Sequence, residues 1–197
     1  GAVPFSQYMD WALNEEQYGA YSSGKISIGK KGDFVTSPSL GSEFCELLVK
    51  QIAEWIIDIE SYNTNSVISI VDIGPGEADL TFHLISAFKS QYPHLISKIE
   101  FVLVEINIGM ISRQKKRLKA FRDLRIRWTS FKELSLNPVI GIFIAHEILD
   151  ALPVDRIVYY NNKLYSQGVR LDNHLGTDFI KFTNLPLISY MNKYLTL

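Results

Sequence analysis

The stretch that decides the fold is Val67–Leu80, VISIVDIGPGEADL. From Val67 to Ile73 it is mostly apolar, the mark of a strand buried in a parallel sheet. From Asp79 to Gln91 the apolar spacing turns helical. Gly74, Pro75 and Gly76 sit in the joint. Glycine there lets the main chain approach a ligand with no Cβ in the way. In an open α/β sheet, ligands bind beyond the carboxyl ends of the strands, where this joint lies. A tight strand-to-helix turn with no ligand is the plain alternative.

Outward from this stretch the alternation continues. Ile99–Ile106 reads as a second strand and Asn107–Phe121 as a second helix, with Ile108, Ile111, Leu118 and Phe121 apolar. Leu124–Trp128 reads as a short third strand, and Val139–Ile148 as a fourth that runs into a loop. Arg156–Leu171 reads as a hairpin turning at Asn161-Asn162. Upstream, Phe5, Tyr8, Met9, Ala12 and Leu13 recur at helical spacing. Ser37 is placed to cap a long helix, with Pro38 in its first turn and Leu40, Phe44, Leu47, Leu48, Ile52, Trp55, Ile56 and Ile59 along one face. Strands alternating with helices predict an α/β chain built on a doubly wound sheet. The expected segments are 1–66, a helical extension; 67–160, a Rossmann-like core; and 161–197, a hairpin and the start of a further lobe. Gly1-Ala2 reads as a remnant of tag removal. The last stretch does not read as a completed sheet, so the chain is expected to be truncated at its C-terminus.

Composition narrows the class. Hydrophobic residues at 47% and charged residues at 21% exclude a disordered chain. A net charge of −1 gives no global field to draw nucleic acid or an anionic membrane. Cys45 is the one cysteine, so no internal disulfide forms, and it reads as a buried, inert thiol. No apolar run is long enough to span a membrane. No secretory or transit pattern opens the chain. The expected location is the cytoplasm of a bacterium, or the mitochondrial matrix in a eukaryote. His83, His94, His146 and His174 lack metal-ligand spacing, so no metal is expected. Eight basic residues crowd Arg113–Arg127; this reads as a solvated helix face. An RNA contact is the alternative, disfavoured because stacking aromatics are few. Nothing in the sequence speaks to the oligomeric state.

The joint also selects among ligands. A dinucleotide fingerprint, counted from Gly74, puts Asp79 where glycine or alanine belongs. Asp72, Glu77 and Asp79 would repel phosphate, whereas Asp72 could attract a cationic group. Glu105 ends the second strand, where an acid accepts hydrogen bonds from ribose hydroxyls. Helix capping is the alternative for Glu105.

The spacing Gly74-x-Gly76-x-Ala78 resembles the first motif of class I S-adenosylmethionine-dependent methyltransferases, with alanine for the third glycine. Three further stretches follow the family's order: GDFVTSPSLGSEFCELL (Gly32–Leu48), VEINIGMISRQ (Val104–Gln114) and HEILDALPVDRIV (His146–Val158). Together they resemble the MidA family, that of a mitochondrial complex I assembly factor that is a protein arginine methyltransferase. The likeness spans nearly the whole chain, including PFSQYMDWAL at Pro4–Leu13. It implies a class I methyltransferase fold, S-adenosyl-L-methionine as cofactor, and a protein acceptor, an arginine on a respiratory-complex subunit or its bacterial counterpart. The cofactor set is Asp72, Gly74, Pro75, Gly76, Glu105 and Ile106. Thr36, Ser37 and Pro38 are expected to close over it, a plain helix start being the alternative. Asp33 and His146 are expected beside the substrate.

Glu147 and Asp150 flank the end of the fourth strand and are the catalytic candidates. Paired carboxylates suit the fork of a guanidinium. The alternative has Asp150 capping a short helix and Glu147 in solvent. Against the family pattern, Asp72 stands for glutamate, Ala78 and Cys45 for glycine, Asn107 for serine, His146 for asparagine and Gln167 for glutamate. Ala78 is expected to set a methyl beside the cofactor. Family members run to nearly twice this length, which agrees with the expected truncation. Two rival functions stay open: a non-catalytic assembly protein that keeps the fold, and an RNA methyltransferase.

Overall fold

A computed structural model of the chain describes residues 1–23, 26, 41–62, 67–174 and 177–187. In chain order the elements are β1 (Ala2–Pro4), α1 (Phe5–Asn14), α2 (Glu43–Tyr62), β2 (Ile68–Ile73), α3 (Asp79–Gln91), β3 (Ile99–Val104), α4 (Ile108–Arg117), β4 (Ile126–Thr129), α5 (Phe131–Leu136), β5 (Gly141–Ile144), β6 (Ile157–Tyr160), β7 (Lys163–His174) and β8 (Thr177–Leu185). Two compact units contain them: Tyr21–Asp150, and Gly1–Ala20 with Ala151–Leu197.

The first unit is built on the apolar run that begins at Val67. β2 lies between β3 and β5, and β4 pairs with β3, all parallel, in the order β4-β3-β2-β5. Side chains alternate across a strand. Ile68 and Ile70 of β2, with Ile99, Phe101 and Leu103 of β3, meet Val49, Ile52 and Ile56 of α2 and Leu84, Ile85 and Phe88 of α3. Val71, Val102 and Val104 face the opposite side, where Leu134 of α5 packs on them. Each of these large side chains contributes about 1.5–3 kcal/mol by leaving water.

Local chemistry starts and stops the helices. α4 carries Lys115, Lys116 and Arg117 in its last turn, where cations meet the negative end of the helix dipole. Ser130 and Glu133 form a capping box that starts α5. This short helix went unforeseen, because only Leu134 of its six residues is buried and no apolar stripe marks it. Ser37 and Pro38, the expected start of α2, lie outside the described residues.

The chain moves from β2 outward to β3 and β4, then returns to β5 on the other side of β2. The sheet therefore reverses between β2 and β5, and a crevice opens beyond the carboxyl ends of strands at such a point. β5 seats closely on β2. A Cβ built on Gly141 would lie 1.8 Å from the main-chain oxygen of Ser69.

In the other unit β7 is the central strand. It pairs antiparallel with β6, with β1 through Gly168–Arg170, and with β8 along Ser166–His174. Asn161 and Asn162 both hold positive φ, the form a two-residue hairpin turn requires. β1 joins this sheet from the start of the chain, with Ala2 opposite Arg170. β8 was missed because its apolar residues do not alternate, and Ile180 and Phe182 are both exposed. The Arg156 guanidinium sits between the Phe5 and Phe182 rings, 4.9 and 5.1 Å from their centroids.

The tight seat of β5 sets a test. Gly141→Ala drives its methyl into the main chain of β2 and is expected to lower stability by about 3 kcal/mol or more. Denaturant unfolding measures this, and a variant within about 0.5 kcal/mol of the parent, the effect of an ordinary surface change, contradicts the packing.

Candidate functional site

The joint after β2 is a left-handed turn. Gly74, Gly76 and Ala78 have φ of 65°, 54° and 64°. The Gly74 N–H donates to the Val104 carbonyl at 3.2 Å, which carries the β2–β3 ladder one step past the strand. The Ala78 N–H donates to the Pro75 carbonyl at 2.8 Å and closes the turn. Gly74 is exposed and Pro75 is buried. A Cβ on Gly74 would lie 2.5 Å from Ile148 Cδ1, so the loop after β5 comes right up to this turn.

Ala78 corrects an expectation. Its methyl is fully buried in the hydrophobic core and does not line the open edge. What alanine costs here is conformational. An L-residue in the left-handed region is disfavoured by roughly 1–2 kcal/mol, which glycine avoids.

Asp72 lies buried at the end of β2 and accepts a hydrogen bond from Thr81 Oγ1 at 2.6 Å. Burial pushes its carboxyl up to about 6, and the Thr81 hydroxyl offsets part of that rise. Glu105, just past β3, uses one oxygen for the main chain: Oε1 accepts from the N–H groups of Ile106 and Asn107, both at 2.9 Å. Its other oxygen, Oε2, is met by Gln114 Nε2 at 3.3 Å. Glu105 thus bonds the main chain just ahead of α4, while Asn107 is the residue that caps the helix. Ile106 beside it is 77% exposed, an apolar side chain at the open edge of the sheet.

Asn107 ties this edge to an upstream segment. Its Oδ1 accepts from the Met110 N–H at 3.0 Å and caps α4, while its Nδ2 donates to Ser22 Oγ at 2.7 Å. Next to Ser22, the Tyr21 hydroxyl is pushed up, first by burial and then by the charge of Asp150. Tyr21, Ser22 and Gln114 were not foreseen as site residues. Gln114 ended a quoted motif, but the side-chain hydrogen bonds that mark it cannot be read from spacing.

Beyond β5, Glu147 and Asp150 are both exposed. Glu147 holds a φ of 51°, which is strained for a residue with a Cβ. Asp150 lies in a short 3-10 turn at Leu149–Ala151. The His146 ring packs against Phe44, centroids 5.6 Å apart. Asp33, Thr36, Ser37 and Pro38 lie outside the described residues.

Charge around the turn is more balanced than the sequence suggests. Arg113 pairs with Glu77 at 3.0 Å, and Arg117 with Asp79 at 2.8 Å. Two of the three acids expected to repel phosphate are therefore countered. Arg127 pairs with Glu100, and Lys115 sits over the Trp128 ring. Much of the basic run thus serves intramolecular contacts. Burial pushes the Cys45 thiol up to about 12, aided by Asp72, Asp79 and Glu46, as expected for an inert side chain. Among the described residues no cluster of three or more His, Cys, Asp or Glu could hold a metal ion. No described helix is long and apolar enough to cross a membrane.

Known proteins match this chain. The sequence model of a family of S-adenosyl-L-methionine-dependent methyltransferases matches residues 48–196. The mitochondrial protein arginine methyltransferase NDUFAF7 of Xenopus laevis is 29% identical over 213 residues, covering 96% of this chain and 47% of its own length. Its counterpart in Xenopus tropicalis is 30% identical, covering 80% and 40%. A COG1565 superfamily member from Burkholderia thailandensis, solved with S-adenosyl-homocysteine bound, superposes with a TM-score of 0.69 at 25% identity. That likeness covers 95% of this chain and 46% of the other. The chain spans less than half the length of these relatives.

Two predictions follow from the strained and buried acids. The folded state raises the Asp72 pKa from 3.8 to about 6. Its contribution is fully present below pH about 4 and is lost as pH rises through about 6. Asp72→Asn is therefore expected to exceed the parent in stability by roughly 2–3 kcal/mol at neutral pH and to equal it below pH about 4. Denaturant unfolding across pH measures this; a gap independent of pH contradicts the burial argument. Likewise Glu147→Gly relieves a left-handed φ and is expected to raise stability by about 1 kcal/mol. A loss of stability would show that contacts of the Glu147 side chain outweigh the strain.

Proposed function

The chain belongs to the MidA family of S-adenosyl-L-methionine-dependent methyltransferases, and from that premise we propose that it binds S-adenosyl-L-methionine at the carboxyl edge of β2 and β3 and methylates a protein side chain. The observation that carries this reading is the division of labour at Glu105. One oxygen is taken by the main chain and the other is held beside the left-handed turn, at the strand end where a ribose is recognised.

The residues present fit this cofactor. Gly74 offers an exposed main chain with no Cβ, Ile106 an exposed apolar surface for an adenine ring, and Glu105 Oε2 an acceptor for ribose hydroxyls. Asp72 supplies a negative charge at the end of β2 for the cationic end of the ligand. The ion pairs at Glu77 and Asp79 leave the turn without a strong excess of either sign. Bound there, S-adenosyl-L-methionine supplies an electrophilic methyl group on a sulfonium.

For the acceptor we infer an arginine. Glu147 and Asp150 are two carboxylates in one loop beyond β5, and Ile148 of that loop reaches the turn. Carboxylates orient a guanidinium through its fork of N–H groups and take up a proton from it. His146, packed on Phe44, flanks the same loop. The names of the mitochondrial relatives support an arginine acceptor. A respiratory-complex subunit as partner, and the mitochondrial matrix as location in a eukaryote, rest on the family resemblance. The closing role of Thr36, Ser37 and Pro38, and the place of Asp33 beside the substrate, rest on it as well.

Calorimetry with S-adenosylhomocysteine tests the binding half. One site is expected, and Glu105→Gln should weaken it by about 10-fold or more, the effect of losing a hydrogen bond to a charged group. No heat and no thermal shift at millimolar ligand would sink the reading. Glu147→Gln is expected to leave cofactor affinity unchanged and to cut methyl transfer to arginine-bearing protein acceptors. Binding with no transfer to any acceptor would favour the assembly role, or show that transfer needs more of the length that the relatives have.

A further inference from the structure

Gln114 is fully buried, yet its side-chain amide makes three polar contacts with three different segments. Its Oε1 accepts from Trp128 Nε1 at 2.8 Å. Its Nε2 donates to the Gly76 carbonyl at 2.8 Å and meets Glu105 Oε2 at 3.3 Å. Chemistry fixes this orientation. Indole nitrogen is a donor only, so the amide oxygen must face Trp128. Both N–H groups are then left for the two acceptors, a carbonyl and a carboxylate. A glutamate would set its negative oxygens against both, and an apolar side chain would leave all three partners unmatched in a buried setting.

Oε1 of Glu105 is anchored by two main-chain N–H groups. That anchor leaves the carboxylate free to turn about it. Among the described residues, Gln114 is the side chain that meets Oε2 and removes this freedom, and the same amide holds the turn at Gly76. We propose that Gln114 is a positioning residue for ribose recognition: it holds the open oxygen of Glu105 and the Gly76 carbonyl in one fixed relation, so that the sugar hydroxyls find their acceptor already placed. Trp128 acts one step further back by setting the amide. The inference rests on the S-adenosyl-L-methionine reading and adds to it the residues that set its preference for a ribose.

The intact chain titrated with S-adenosylhomocysteine and with its 2′-deoxyribose analogue tests this, because the ratio of the two affinities reports the sugar contact and not overall stability. The parent is expected to favour the ribose form by about 10- to 100-fold, the effect of a hydrogen bond to a charged group. In Gln114→Met the ratio should collapse to within about 3-fold, through loss of affinity for the ribose form. Trp128→Phe keeps the amide and removes only the donor that orients it. It should lower the ratio too, and it serves as the measured variant if Gln114→Met does not unfold cooperatively. A parental ratio in the folded variants overturns the proposal and leaves the cofactor reading standing. Equal affinity of the parent for the two ligands also overturns it. If the parent binds neither ligand, the cofactor reading falls and this inference falls with it.

Discussion

Three left-handed residues within five, Gly74, Gly76 and Ala78, turn the chain from β2 into α3, and the carboxyl edge of the sheet is arranged around that turn. Such a turn would be loose if its main-chain groups were free. Instead the Gly74 N–H is tied to β3 through Val104, the Gly76 carbonyl to α4 through Gln114, and the Ala78 N–H to Pro75 within the turn. The Ala78 carbonyl then accepts the Phe82 N–H and begins the helix. Strand, turn and helix are thus held at every step. The exposed main chain of Gly74 is left as the surface a ligand can approach.

This arrangement changes how charge near the turn is understood. Asp72, Glu77 and Asp79 look in the sequence like a negative ring. In the fold, two of them are partnered by Arg113 and Arg117, one helical turn apart on α4. The ion pairs are partly solvated, so each contributes little to stability, but they remove most of the repulsion a phosphate would have met. The case against a dinucleotide therefore rests on the aspartate at position 79 of the spacing and on Asp72. Burial opposes ionisation of Asp72. A cation placed near it would favour the charged form. A cationic ligand and this buried acid therefore stabilise one another, which a phosphate cannot do.

Much of the fold was legible because the central strands obey a simple rule. β2 and β3 are buried on both faces, and such strands are continuous apolar runs bounded by turn residues. α3 was visible to the residue, since its buried positions Leu80, Leu84, Ile85 and Phe88 keep helical spacing. Legibility failed where burial is one-sided or slight. α5 buries one residue, β8 exposes apolar side chains, and β1 is three residues long. Of the site, the glycines and Glu105 stood out because their chemistry attaches to strand ends. Gln114 and Asn107 did not, because a buried amide is defined by what it bonds, and those partners are distant in the chain.

The departures from the family pattern show the same limit from the other side. Ala78 in place of glycine was expected to set a methyl beside the cofactor, yet its methyl fills core space and the penalty falls on the backbone. Asn107, which stands where the family pattern has serine, caps α4 with Oδ1 and reaches Ser22 with Nδ2, two contacts made by opposite ends of one group. A serine hydroxyl is a single atom and cannot face both directions with the same reach. The substitution therefore binds the segment at Tyr21 and Ser22 more firmly to the edge where Glu105 sits. Strain at Ala78 and Glu147, and extra hydrogen bonding at Asn107, act on the same edge of the sheet. An edge that tolerates left-handed alanine and glutamate must be held by its surroundings, and Gln114 and Asn107 are side chains that hold it.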